Sequence, residues 1–358
     1  MKILVYGGTF NPIHKAHVNN VEIACQKFKF DKVVILPNHG GHFKDNNNLA
    51  SSYDRKIMLL EAFKKCDFEV EINEIELKKD KPSYSYDTIV QLKATEPGDY
   101  YFLIGSDQAI NLSKWDKIEQ LKKEVTFIVS KRDNKLLKDK SLIYLDNNIL
   151  DYSSTKIRTQ YETSGIFEVD NYIRYKGIYL ESVLDNYLQV SRKQHSINVA
   201  NLARKLASKN DIDPNKAYVA GMLHDIAKEL PEETQEKLAQ KATIKFELKT
   251  PTYHAAAALE VITKKLKIYD LEILNAIRWH TTGFYEMSAL DKLIYMSDMV
   301  SCERSFEGVK ELRELLKTNL NQAFKEGFIQ STAHLKTKNV KIDDELEKLI
   351  QKVERDEV

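Results

Sequence analysis

From Lys2 to Val129 the apolar residues fall into short unbroken runs. Lys2–Tyr6 stops at Gly7-Gly8, Lys32–Leu36 at Pro37, Tyr100–Ile104 at Gly105, and Glu124–Val129 closes the series. Between the runs the apolar spacing lengthens to three and four residues. His17–Lys27, Arg55–Lys65 and Asp87–Lys93 therefore predict helices, while Phe68–Leu77 alternates and predicts one more strand. An unbroken apolar strand buries both of its faces. Such strands alternating with helices imply an α/β fold with a parallel sheet covered on each side. Ligands of such sheets bind at the carboxyl ends of the strands. The polar stretches after Tyr6, Leu36, Ile104 and Val129 are thus the candidate site loops.

From about Ser182 the strand signals vanish and helical periodicity runs to the end. The pattern predicts an α/β domain over residues 1–182 and an all-α helical bundle over 188–358. KTKNVKIDDELEKLIQKVERDEV at the end predicts a charged amphipathic helix. At 358 residues, two domains are also what hydrophobic cores of ordinary size favour. Basic and acidic side chains number 54 and 53, so nothing in the balance points to a nucleic-acid or membrane partner. No run approaches the roughly 20 apolar residues that cross a bilayer, and no signal peptide is expected. Cys25, Cys66 and Cys302 form no CxxC pair, which fits a reducing, cytoplasmic setting.

Chemistry enters at the first loop. GGTFNPIHKAH, Gly7 to His17, places paired glycines after a strand, where backbone can approach a phosphate closely. His14 and His17 share one face of a helix start. Imidazoles beside oriented N–H groups can stabilise charge on a transferring phosphoryl group. This string resembles the GGTFDPIHxGH opening of bacterial nicotinate-nucleotide adenylyltransferases, members of the HxGH nucleotidyltransferase superfamily with a Rossmann-like fold. Asn11 stands where that family has Asp, and Ala16 where it has Gly. The likeness covers roughly residues 1–180. KPSYSYDTI (Lys81–Ile89) resembles GPSYTxDT, IGSDQ (Ile104–Gln108) resembles IGxD, and SSTKIR (Ser153–Arg158) resembles SSTxIR.

The resemblance implies adenylyl transfer from ATP to a pyridine mononucleotide, with Mg²⁺ carried on the triphosphate and no covalent enzyme intermediate. It implies His14 and His17 as catalytic residues. Gly7, Gly8, Thr9, Phe10, Ser154, Thr155 and Arg158 would hold the ATP phosphates. Lys44, Ser83, Tyr84, Asp87, Thr88, Gly105, Asp107 and Trp115 would hold the mononucleotide, with Trp115 stacked on its ring. Lys44 lies in a GGHFK string where His42 is one position displaced from the family's pattern. Pantetheine-phosphate adenylyltransferases share the HxGH motif, but SYSYDT and Trp115 favour a pyridine nucleotide. Nicotinate and nicotinamide remain alternatives.

The second half carries His195, His224-Asp225, His254, His280 and Asp298, each within or beside a helical pattern with apolar neighbours. Buried imidazoles and carboxylates need partners, and a metal satisfies several at once. Mixed His/Asp ligation suits Fe, Mn, Co or Zn better than Ca. The order H…HD…H…H…D resembles the HD superfamily of metal phosphohydrolases. Over about 188–335, HDIAK (His224–Lys228), RWHTTG (Arg278–Gly283) and LDKLIYMSDMVSCER (Leu290–Arg304) resemble the bacterial hydrolases of symmetrical dinucleoside tetraphosphates. That likeness implies iron on His195, His224, Asp225 and Asp298, with Asp225 also catalytic. It implies a second metal or phosphate contact at His254 and His280, and nucleotide contacts from Arg192, Lys228, Thr281 and Arg304. The expected reaction is hydrolysis of diadenosine tetraphosphate to two ADP. A phosphatase of another nucleotide, or a nucleotide-binding regulator without catalysis, are the alternatives.

Overall fold

Ile3, Leu4 and Val5 are all fully buried, so the first strand, β1 (Lys2–Gly8), has no face toward solvent. The same holds along β2 (Lys32–Pro37), β4 (Asp99–Gly105) and β5 (Val125–Ser130) beyond their starts, where Asp99 and Thr126 are exposed. The structure, a computed structural model, describes residues 1–39, 48–79, 83–132, 139–242, 252–337 and 344–355. Two short strands, β3 (Val70–Ile72) and β6 (Ile143–Tyr144), complete a six-stranded sheet in the order β3-β2-β1-β4-β5-β6. All pairs are parallel, and Tyr6 of β1 faces Ile35 of β2 and Leu103 of β4. The strand order reverses between β1 and β4, which makes the crevice beyond their carboxyl ends the natural ligand position. The helices are α1 (Lys15–Phe28), α2 (Ser52–Phe63), α3 (Ser85–Thr95), α4 (Ser106–Ala109), α5 (Ile118–Glu124) and α6 (Ser154–Gln160).

The alternating stretch Phe68–Leu77 yields only three strand residues. Asn73 ends it: its side-chain oxygen accepts the Ile75 N–H at 3.0 Å, and a turn replaces the ladder. β6 has too few residues to leave a pattern.

The chain divides into compact units at Tyr172/Ile173, inside α7 (Phe167–Lys176). The sequence pattern sets the boundary later, at 182–188. A continuous helix crosses the division, so no linker composition marks it.

The second unit continues with α8 (Leu180–Leu184), α9 (Val190–Ala207), α10 (Pro214–Leu223), α11 (Glu232–Lys241), α12 (Tyr253–Val261), α13 (Leu271–Trp279), α14 (Ala289–Met299), α15 (Val309–Thr318), α16 (Leu320–Thr337) and α17 (Asp344–Glu354). Local chemistry sets the starts of three of them. Asp213 caps α10 with Pro214 at the first turn, Asp270 accepts two N–H groups at the start of α13, and Ser288 with Asp291 forms a capping box on α14. The expected terminal helix is present as α17, which buries Leu349, Ile350 and Val353. α9 packs on α10 and α14, and α10 on α13. Gly221 brings α9 and α10 close: a Cβ there would stand 2.6 Å from the Ala200 Cα. No described helix is long and apolar enough to cross a membrane.

Candidate active sites

At the carboxyl end of β1 the chain turns through Thr9 to Ile13, with a cis Asn11–Pro12 bond, and enters α1 at His14. His14 is the N-cap and His17 the third helical residue. The His14 N–H donates to His17 Nδ1 at 3.3 Å, and the two rings stack with centroids 3.7 Å apart. Phe10 adopts a left-handed backbone conformation, and its ring packs edge-on to Tyr6 and His17. The buried Phe10 ring packs against His17. Both histidines are nearly buried. Burial, helped by the positive charge of Arg132, lowers His14 to about 4, so its imidazole is neutral at physiological pH.

Other residues expected here converge on the same loop. Arg158 donates from Nη1 to the Asn11 carbonyl at 2.6 Å, and Ser154 Oγ donates to the Pro12 carbonyl at 2.9 Å. Thr155, at the start of α6, is exposed, and its hydroxyl lies 3.4 Å from Arg158 Nη2. Asn11 uses both ends of its amide: Nδ2 donates to the Asn48 carbonyl at 2.9 Å and Oδ1 accepts the Ala50 N–H at 3.0 Å. A carboxylate could make only the second bond, which gives the departure from the family's Asp a local role.

At the end of β4, Asp107 pairs with Arg132 at 3.2 Å beside Gly105. Trp115 is half-buried, edge-on to Phe102 and Phe127. Asp87 pairs with Lys117 at 2.8 Å, and Tyr84 is exposed. The Thr88 side chain turns inward, its hydroxyl donating to Glu76 at 2.9 Å. Ser83 Oγ is buried and has no hydrogen-bond partner among the described residues. Lys44, like His42, lies outside the described residues.

Two supporting residues leave no motif. Arg55, fully buried on α2, donates through Nη1 to the carbonyls of Thr9 and Asn38, both at 2.7 Å, tying the loop after β1 to the end of β2. Asn147 holds the Lys131 backbone at both its N–H and its carbonyl, and so fixes the segment that carries Arg132.

In the helical unit, His195 of α9, His224 and Asp225 after α10, His254 of α12, His280 after α13 and Asp298 of α14 meet at one centre. His195 Nε2 is 3.2 Å from His224 Nε2 and 3.1 Å from Asp298 Oδ1. Asp225 divides its oxygens. Oδ2 faces His224 at 3.6 Å and His195 at 4.0 Å, while Oδ1 faces His254 at 3.5 Å and His280 at 3.6 Å. Three ligand triples with metal-compatible spacing result: His195–His224–Asp225, His224–His280–Asp298 and Asp225–His254–His280.

The donor set fits a divalent metal. The His224 Nδ1–H donates to the Gly221 carbonyl at 2.8 Å and the His280 Nδ1–H to that of Ile277 at 2.5 Å, which directs both Nε2 lone pairs inward. Burial raises the cost of ionising Asp225 and Asp298. The surrounding imidazoles outweigh it, and both carboxyls stay below their usual range. Burial pushes His224 down, and pushes His254 down to about 3.

Basic groups rim the centre. Arg192 Nη1 donates to Asp225 Oδ2 at 2.9 Å, and Arg304 Nη2 to Asp298 Oδ1 at 2.8 Å. Lys228 Nζ lies 3.2 and 3.3 Å from the ring nitrogens of His254. Thr281 is exposed. Glu303, not marked by the sequence pattern, accepts from His195 Nδ1.

Residues 5–160 match the cytidylyltransferase-like family model and residues 192–302 the HD domain model. The probable nicotinate-nucleotide adenylyltransferase/Ap4A hydrolase of Mycoplasma genitalium is 34% identical over 342 residues, covering 90% of this chain and 95% of that protein. The protein of the same name from Mycoplasma pneumoniae is 30% identical over 334 residues, covering 90% and 96%. A crystal structure described as a predicted HD superfamily hydrolase involved in NAD metabolism, from Clostridium acetobutylicum, is similar at 30% identity with a TM-score of 0.47, over 49% of this chain and 96% of that one. With a nucleotidyltransferase fold and an HD domain in this order, and likeness along 90% of its length, the chain belongs to the two-domain nicotinate-nucleotide adenylyltransferase/Ap4A hydrolase family.

Proposed function

We propose that the N-terminal unit transfers AMP from ATP to nicotinate mononucleotide, giving deamido-NAD and pyrophosphate, and that the C-terminal unit hydrolyses diadenosine tetraphosphate to two ADP. For the transferase, the supporting observation is the stacked His14–His17 pair at the start of α1, beneath the loop braced by Arg158 and Ser154. The mononucleotide phosphate attacks the α-phosphorus, the bond to the β-phosphate oxygen breaks, and pyrophosphate leaves. The two imidazoles and nearby N–H groups meet the charge that develops. Arg158 and Arg132 offset the repulsion between two anionic substrates. Mg²⁺ enters on the triphosphate, held mostly by substrate oxygens and water.

For the hydrolase, the supporting observation is the convergence of four imidazoles and two carboxylates on one centre rimmed by three basic side chains. HD domains imply a divalent metal, and iron is our assignment, with Mn, Co or Zn compatible with the same donors. When bound, the ion supplies Lewis acidity toward a phosphoryl oxygen. The protein's own part is electrostatic and positional. Arg192, Lys228 and Arg304 bring fixed or near-fixed positive charge to a polyphosphate. Water adds to phosphorus, the bond to the bridging oxygen breaks, and both products leave as ADP.

One set of assays tests both halves. The full chain is given ATP with nicotinate or nicotinamide mononucleotide, and separately diadenosine tetraphosphate or other nucleotides with added divalent metal. Preference for nicotinamide mononucleotide, or faster hydrolysis of another nucleotide, overturns the corresponding assignment. Absence of any hydrolysis favours a regulatory role for the HD unit.

A further inference from the structure

The histidines at the metal centre direct Nε2 inward in two different ways. His224 and His280 each engage Nδ1 with a backbone carbonyl three residues earlier, Gly221 and Ile277. These bonds are local and uncharged. His195 lies within α9, where preceding carbonyls serve the helix ladder, and its Nδ1 instead meets Glu303 Oε1, 108 residues further on.

That carboxylate is itself held in place. Ser301 Oγ donates to Oε1 at 2.8 Å, and Asn198 Nδ2, one turn beyond His195 on α9, donates to Oε2 at 3.0 Å. The turn that carries Glu303 is pinned by Arg313 of α15. Its Nε donates to the Val300 carbonyl at 2.8 Å, and its Nη2 to those of Ser301 at 2.7 Å and Arg304 at 2.6 Å. An elaborate set of bonds thus places one anionic side chain on one ring nitrogen. An anionic acceptor on Nδ1–H fixes the ring orientation and makes Nε2 a stronger donor than a carbonyl acceptor does.

We propose that Glu303 is a positioning residue for the metal centre: through His195 it sets the affinity and geometry of the bound ion. Asn198, Ser301 and Arg313 orient the carboxylate for that task. The proposal rests on reading this cluster as a metal site, and its test separates the two.

The full chain, stripped of metal, is titrated with Co²⁺ in competition with a chromophoric chelator, and the cobalt absorption spectrum is recorded at saturation. Wild type is compared with Glu303→Ala, Glu303→Gln and Asp225→Ala. Glu303→Ala should weaken Co²⁺ binding by about 10- to 100-fold and alter the spectrum. Glu303→Gln, whose amide oxygen can still accept the Nδ1–H without the charge, should fall between it and wild type. Adenylyl transfer, measured in parallel, should be unchanged and reports an intact chain. If Glu303→Ala does not fold, Glu303→Gln decides alone, by weaker binding or by wild-type binding. Wild-type affinity and spectrum in the folded Glu303 variants, with binding lost in Asp225→Ala, overturn the proposal and leave the metal site standing. A wild-type chain that binds no Co²⁺ removes the metal site and the proposal together.

Discussion

Asp225 offers the sharpest perturbation of the helical unit, because its two carboxylate oxygens serve different groups. It belongs to two of the three ligand triples, through Oδ2 with His195 and His224 and through Oδ1 with His254 and His280. Asp225→Ala therefore weakens both at once. The loss of metal affinity should exceed the 10- to 100-fold typical of residues that only support a ligand. The same change leaves Arg192 without its carboxylate at 2.9 Å. Breaking a buried pair costs about 3–5 kcal/mol, and the Arg192 side chain is 33% exposed, so the low end applies, roughly 3 kcal/mol. Against a domain stability of about 5–15 kcal/mol the unit should stay folded. Elemental analysis of purified wild type and variant gives metal content. Release of ADP from diadenosine tetraphosphate, under anaerobic conditions with added iron, gives activity. Adenylyl transfer by the same preparation is the internal control. We expect metal and hydrolysis to vanish together while the transferase is spared. Full metal content and hydrolysis in the variant would refute the reasoning, as would a fully active wild type containing no metal.

Three further outcomes follow from the α/β unit. His17→Ala should lower adenylyl-transfer turnover by about 10²–10³-fold with an unchanged circular dichroism spectrum, and wild-type turnover would remove His17 from the reaction. In Gly105→Ala the new Cβ would fall against Asp107 Oδ1 and 2.8 Å from Arg132 Nε, displacing that ion pair. Steady-state kinetics should show weakened transfer and unaffected hydrolysis, and unchanged transfer would mean the pair is not needed. His14, at about 4 when folded against an ordinary value near 6.5, binds its proton more readily unfolded. It contributes stability that is complete above about pH 6.5 and lost as pH falls toward 4, by about 3 kcal/mol. Urea unfolding followed by Trp115 fluorescence in a Trp279→Phe background should show that slope, and His14→Gln should flatten it. An equal slope in both would place the titration elsewhere.

What the sequence made legible was whatever rests on short-range repetition. β1, β2, β4 and β5 are apolar runs, and neighbouring residues alone determine that they are buried on both faces. The histidine–aspartate set was legible because each member lies in an apolar helical context. β3 was overestimated because alternation says nothing of Asn73, whose side chain takes the Ile75 N–H and stops the ladder. Glu303, Arg132, Arg55 and Asn147 were not legible. Each acts on a group brought near only by the fold: Glu303 on His195 across 108 residues, Arg55 on Thr9 across 46, Asn147 on Asn20 across 127. A charged or amide side chain looks the same in sequence whether it faces solvent or holds a distant loop.

His224 and His280 are the C-caps of α10 and α13, so two helices end at the metal centre. A helix carries the equivalent of about half a negative charge at its carboxyl end. Added to Asp225 and Asp298, this draws a cation to the centre, while Arg192 and Arg304, paired with those carboxylates, keep the site as a whole close to electrical balance. A divalent ion at the centre would add two positive charges to this near-balanced set, beside the basic groups Arg192, Lys228 and Arg304. An ion held there and an anionic ligand at the rim should then strengthen each other's binding, a coupling built into where two helices end.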